Sequence, residues 1–163
     1  MTPIDWATRP LKKYADFTGR APRPEYWWFY LMFLIIYIVA MIVDSMIGSA
    51  LVGPYGILTL LVFLAFIIPT LSAGVRRLHD SDRTGWWMLA PMIPYGIAFA
   101  LIGPSLGNPA MMAGAGLGAA GILMLVGVIL AITVLVFLIL PGTKGPNRFG
   151  EDPHGVAAPD ATA

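Results

Sequence analysis

His79 and Asp80 stand side by side, with Arg76 and Arg77 one turn before them and Arg83 three residues after. An imidazole next to a carboxylate is the simplest acid–base pair a chain can offer, because histidine titrates nearest neutral pH. With Glu25, Asp82 and Asp152 the same cluster can be drawn as a divalent-metal or hydrolytic site. The inventory argues against both. The chain holds two histidines, His79 and His154, and no cysteine. Thiolate catalysis, disulfides and Cys metal sites are therefore excluded. No nucleophile is spaced from His79 as in a recognised triad, and H-E-x-x-H is absent. We expect no catalytic residue, no metal and no cofactor, and read the cluster as structural ion pairs and hydrogen bonds. A second apparent motif, G-x-G-x-x-G over 116–121, opens an apolar run with no acid before Glu151. A dinucleotide site needs a preceding strand and an acid about 20 residues on. Gly114 and Gly118 instead have the G-x-x-x-G spacing of close helix packing.

The elements that must position these residues are read from hydropathy. Of 163 residues, 58% are apolar and 12% charged, with a mean hydropathy of +0.77. Soluble domains carry about a quarter charged residues. No charge lies between Asp44 and Arg76 or between Arg83 and Lys144. Such runs exclude a soluble enzyme and a disordered tail. A net charge of +1 offers no global field for a polyanion, so nucleic acid is not an expected partner. A helix crossing the hydrocarbon needs about 20 apolar residues. Runs at 26–47, 56–75, 86–102 and 117–140 meet this, and none alternates as a barrel strand would. The expected fold is an all-α membrane protein, a four-transmembrane-helix bundle. Its parts are a segment 1–25, a membrane domain 26–140 with a loop at 76–85, and a tail 141–163 whose end, 154–163, is expected to be disordered. The second span is expected to lie beside the third, given the short loop between them.

Orientation follows from the basic residues. Arg9, Lys12, Lys13, Arg20 and Arg23 precede the first span, Arg76, Arg77 and Arg83 lie between the second and third, and Lys144 and Arg148 follow the fourth. The other two connections hold none, which puts both termini and the 76–85 loop in the cytoplasm. The N-terminus lacks the pattern of a cleaved signal, so the first span is expected to insert itself. Residues 4–18 suggest a short interfacial helix or a solvated basic tail, with Pro10 allowing a helix only from about Thr8. Asp44, near the far end of the first span, reads best as a carboxylate solvated at the interface.

Topology gathers three segments at one surface: 17–28, 76–87 and 141–153. Each mixes acids with bases, and two carry Trp pairs, Trp27-Trp28 and Trp86-Trp87, at the depth of an aromatic belt. Anchoring helix ends by snorkelling needs no acids. We therefore expect a folded cap in which Arg76 pairs with Asp80 at i,i+4, and Glu25 and Asp152 meet Arg77 or Arg20. Its candidate residues, for the cap or for a lipid headgroup, are Arg20, Arg23, Glu25, Arg76, Arg77, His79, Asp80, Arg83, Trp86, Asn147 and Asp152.

These segments read F-x-G-R-x-x-R-x-E-Y-W from Phe17, R-R-x-H-D-x-x-x-x-G-W from Arg76 and P-G-x-x-G-x-N-x-F-G-x-D-P from Pro141. The chain resembles the bacterial YhaH-like inner-membrane family, domain of unknown function 805, over about residues 12–153. The resemblance implies a multi-pass protein of the bacterial inner (plasma) membrane and no particular activity. Residues 103–127, with the Gly/Ala-rich outer segment 103–121, look longer and richer in Gly and Ala than that family's pattern. Membrane lipids are the expected partners, cardiolipin or phosphatidylglycerol if anionic. A second copy or another membrane protein is a further candidate partner. The leading functional expectation is a non-enzymatic structural or accessory protein whose cap binds anionic lipid or a partner. The alternatives are a small transporter or channel subunit, near Asp44, Pro69 and Pro94, and a membrane enzyme acting on a lipid headgroup through His79 and Asp80.

Overall fold

The computed structural model describes residues 1–52, 55–103, 117–153 and 155. Helix α1 (Pro3–Lys12) begins with a capping box: the Thr2 hydroxyl accepts the Asp5 N–H at 3.2 Å, and the Asp5 carboxylate accepts the Thr2 N–H at 2.7 Å. The sequence had pointed to a helix starting only near Thr8. With this cap the helix starts upstream and runs through Pro10, whose ring is buried. Pro10 removes one backbone donor, and a side chain that packs offsets that loss.

Helix α2 (Arg23–Ile47) has Pro22 as N-cap and a proline in its first turn, where a missing N–H costs nothing. It begins three residues before the hydropathy signal, so Arg23 and Glu25 sit on its first turn. It ends at Gly48 in the left-handed region, φ 68°, whose N–H closes on the Asp44 carbonyl. A small antiparallel ribbon of β1 (Ala50–Val52) and β2 (Tyr55–Gly56) leads into α3 (Ile57–Asp80). A 3₁₀ turn, η1 (Gly85–Met88), and a bend at 89–91 precede α4 (Met92–Ile102). Pro91 and Pro94 fall at and just inside the start of α4, where proline is tolerated. Helix α5 spans Leu117–Ile139.

Four elements, Arg23–Ile47, Ile57–Asp80, Gly85–Ile102 and Gly118–Ile139, are long and apolar enough to cross a membrane. Ile35, Val39, Ile42, Leu61, Leu64, Ile122, Leu125 and Ile129 are all exposed along them. An outward apolar face of this extent suits hydrocarbon rather than water. Helix α2 packs on α1 and α3, α4 packs on α5, and the third span meets α3 chiefly through η1. The expected neighbourhood of second and third spans is thus made mainly by η1, while α4, beyond the turn at 89–91, packs on α5. At that contact Gly127 matters: a Cβ there would come within 2.6 Å of the Tyr95 ring. Gly118 faces open space, and Gly114 lies outside the described residues, as do 104–116, 154 and 156–163. The G-x-x-x-G packing expectation and the disorder expected at the C-terminus fall largely on that part of the chain.

The core joins three helix ends. Tyr26 and Phe29 of α2, Ala73 and Leu78 of α3, and Val134 and Leu138 of α5 form one buried cluster. It lies at the end of the bundle that carries the charged segments. At the opposite end Asp44 is fully buried, not solvated. Its carboxylate accepts the N–H groups of Leu58 (3.1 Å) and Thr59 (2.7 Å), and the hydroxyls of Thr59 (2.7 Å) and Ser49. A side chain of α2 thereby caps the N-terminus of α3, where orphan donors and the helix dipole both favour an anion.

Candidate functional site at the charged end of the bundle

Arg76 and Arg77 are adjacent, so on a helix they point about 100° apart. That phase decides the whole arrangement. Arg76 turns toward α2, where its Nη1 meets Glu25 Oε1 at 2.9 Å; Arg9 of α1 meets Oε2 of the same carboxylate at 3.4 Å. Arg77 turns toward α5. Its Nε donates to the Leu138 carbonyl at 2.9 Å, Nη2 donates to the Leu140 carbonyl, and Nη1 pairs with Asp80. The last carbonyls of α5 are orphans of helix termination, and a guanidinium is the donor best suited to them. Arg23 adds a third bond there, Nε to the Leu140 carbonyl at 3.2 Å. The expected Arg76–Asp80 pair is therefore replaced by Arg76–Glu25 and Arg77–Asp80.

Asp80 is the hub. Arg20 donates Nε to Asp80 Oδ1 at 3.0 Å, with Nη2 equally close, while Arg77 holds Oδ2. Both guanidiniums and the carboxylate are buried. Arg20 continues to the carbonyls of Gly145 (2.6 Å) and Thr143, tying the segment after α5 onto the end of α3. Thr143 N–H donates to the Asp80 carbonyl at 2.8 Å. This close seating requires glycine at 142, since a Cβ there would collide with the Asp80 carboxylate.

The remaining candidates hold loops. Asn147 donates to the His79 carbonyl and to Thr143 Oγ1, each at 2.9 Å, and accepts the Phe149 N–H at 2.9 Å. Asp152 accepts the Gly145 N–H at 2.9 Å. The His79 ring stacks on Phe149, centroids 3.9 Å apart and planes at 3°, and its Nδ1 lies 3.1 Å from the Gly19 carbonyl. Arg83 lies over the Phe137 ring at 4.0 Å, while Trp86 is largely exposed, at 76%. In the segment leading to Arg20, Asp16 accepts the Thr18 hydroxyl and N–H, which hold its carboxyl below the usual range.

All eleven sequence candidates thus gather at one end. Glu25 and Arg76 form one buried cluster, and Arg20, Arg77 and Asp80 form the other. Sequence reasoning missed Arg9, Thr143 and Phe149. It also missed Tyr14, whose hydroxyl donates to the Ala65 carbonyl at 2.7 Å. That carbonyl is four residues before Pro69, which cannot donate to it, so the proline was the available signal. Arg23 and Lys144 are exposed, and Lys144 makes no hydrogen bond among the described residues. With Arg20, Asp80, Thr143 and Asp152 they line a polar cavity of about 210 Å³ at the mouth of the second cluster. Among the described residues no three His, Asp or Glu side chains converge to hold a metal ion.

The family model described as a protein of unknown function, DUF805, matches residues 14–151. Inner membrane protein YhaH of Escherichia coli K12 is 34% identical over 150 residues, 92% of this chain and 97% of its own length. Inner membrane protein YhaI of the same strain is 33% identical, over 92% and 96%. No solved structure matches the chain. The match embraces the first two charged segments, the third as far as Glu151, and every helix from α2 to α5, and the chain belongs to the DUF805 family.

Proposed function

We propose that this is a non-enzymatic structural or accessory protein of the bacterial inner membrane, with both termini and the 76–85 connection in the cytoplasm, whose charged end holds an anionic lipid headgroup. The observation that carries the reading is the pair of exposed cations, Arg23 and Lys144, at the mouth of the 210 Å³ cavity. At the cavity's floor the Asp80 carboxylate is already taken up by Arg20 and Arg77. Its three cations face two carboxylates, which leaves an excess positive charge for a phosphate. Arg23 and Lys144 flank the start of α2 and the end of α5, so their side chains reach headgroup depth while the spans remain in hydrocarbon. Arg76 and Arg77 are fully buried, one paired with Glu25 and the other with Asp80 and the end of α5, and burial leaves even the unbonded Arg76 Nη2 out of reach of a headgroup, which belongs to Arg23 and Lys144 instead.

A structural role for His79 and Asp80 is supported by the stacked ring and the doubly paired carboxylate. A polar path for transport finds little among the span residues: Thr59 is engaged by Asp44, Ser72 by the Pro69, Lys13 and Tyr14 carbonyls, and Thr133 by the Ile129 carbonyl, which leaves the buried Thr70 hydroxyl as a single unbonded group rather than a path. Native mass spectrometry of the protein released in mild detergent tests the reading and gives the subunit number. Wild type should retain cardiolipin or phosphatidylglycerol, and Arg23→Ala/Lys144→Ala should lose it while Glu151→Ala keeps it. A lipid-free wild type, or equal retention in the double variant, overturns it.

A further inference from the structure

A second, larger cavity of about 410 Å³ lies on a different face of α3. Leu71, Val75 and His79 recur every fourth residue along it. The slot therefore follows two helical turns, roughly 12 Å, from the charged end into the apolar part of the bundle. Phe17 from the N-terminal segment and Trp86 from η1 also line it. Its lining contains no Lys, Arg, Asp or Glu, and His79 is its one ionisable side chain. The tautomer of that imidazole, in its neutral form, follows from its partner. A carbonyl only accepts, so Nδ1 carries the proton in its bond to Gly19, and the neutral ring keeps its lone pair on Nε2. Among the described residues Nε2 has no hydrogen-bond partner, and one ring face is covered by Phe149. What the ring offers is an oriented acceptor and its second face.

We propose that this slot binds an uncharged amphiphile with a flat, hydroxyl-bearing ring on an apolar tail, a compound of the phenol or quinol class. The hydroxyl donates to His79 Nε2, the ring packs with Phe17 and the exposed Trp86 indole, and the tail follows Val75 and Leu71 toward hydrocarbon. A phosphate headgroup finds no cation in the lining, and a bare alkyl chain has no use for the acceptor. The volume lies in the range of sites for small ligands. The binding is non-covalent and independent of the Arg23–Lys144 headgroup site.

The test is tryptophan-fluorescence titration of the full-length protein in detergent with decylubiquinol, and with decylubiquinone, which lacks the donor. Wild type should saturate, with the quinol bound about tenfold more tightly than the quinone, the scale of one hydrogen bond. His79→Phe keeps a ring to stack on Phe149 but removes the acceptor, and should weaken quinol binding about tenfold. Leu71→Trp fills the deep end of the slot and should abolish saturation. Equal, non-saturable quenching in all three proteins would overturn the proposal, as would equal affinity for quinol and quinone. Displacement of the quinol by dioctanoyl phosphatidylglycerol would assign the slot to a glycerolipid and overturn the ligand class. Melting of each variant is measured alongside. If His79→Phe does not fold, the quinol-to-quinone ratio and Leu71→Trp still decide the outcome.

Discussion

Asp80 is paired with two buried guanidiniums at once, and its backbone carbonyl receives the segment that follows α5. A buried ion pair adds little net stability over an apolar replacement, but removing one partner strands the other charge, at about 3–5 kcal/mol. Asp80→Asn keeps the shape and removes the charge, leaving Arg20 and Arg77 facing each other. We expect a loss on that scale, read as a lower melting temperature in detergent. Asp82→Asn is the contrast, because its pair with Arg148 is about half exposed on both sides and should be worth under about 1 kcal/mol. Similar melting of the two variants would contradict the hub role. The sequence announced which side chains would gather here, since three mixed-charge segments sit at the same ends of their spans. It did not announce the pairs. Whether Arg76 or Arg77 reaches Asp80 depends on which neighbour stands at each helical phase, and that is a property of packing. Phe149 illustrates the same limit: nothing in its local sequence says that it will stack on an imidazole 70 positions away.

Helix existence was legible because a long apolar run has only one way to satisfy its backbone in a membrane. Helix interruptions were legible only as prolines, without their consequences. Pro10 did not stop α1, since the Thr2–Asp5 box starts that helix upstream. Pro91 and Pro94 stand where the third span passes from η1 to α4, and α4 packs chiefly on α5 while η1 packs on α3. Pro69 left the Ala65 carbonyl without its helical donor, and the N-terminal segment supplies Tyr14 in its place. Asp44 does the corresponding service at the other end of α3 by capping its first turn from α2. Each device joins two elements through a backbone group that helix geometry alone leaves open. Tyr14→Phe removes only the donor and should destabilise the fold by about 1 kcal/mol, the usual net worth of such a bond. The readout is the unfolding midpoint in a detergent titration. An unchanged midpoint for Tyr14→Phe would mean that the Ala65 carbonyl is satisfied without it.

At the scale of the molecule, the outer faces of the spans are apolar, and all ten Lys and Arg lie in segments that leave the spans at one end. With an even number of crossings, both termini must share a side of the membrane with the connection between α3 and η1. The cytoplasmic placement proposed for that side rests on the positive-inside bias, ten basic residues against none in the connections opposite. The absence of cysteine makes this testable without background, because any single introduced thiol is the only one present. Ala15, Glu151 and Tyr55 are exposed, the first two at the charged end and Tyr55 in the ribbon at the other. In intact spheroplasts a membrane-impermeant maleimide should label Tyr55→Cys, and should reach Ala15→Cys and Glu151→Cys only after permeabilisation. The reverse pattern would put Arg23 and Lys144 at the periplasmic surface and remove the cytoplasmic leaflet as the source of their headgroup. Labelling of all three in intact cells would require a mixed orientation, which a ten-to-none distribution of basic charge makes unfavourable at every connection.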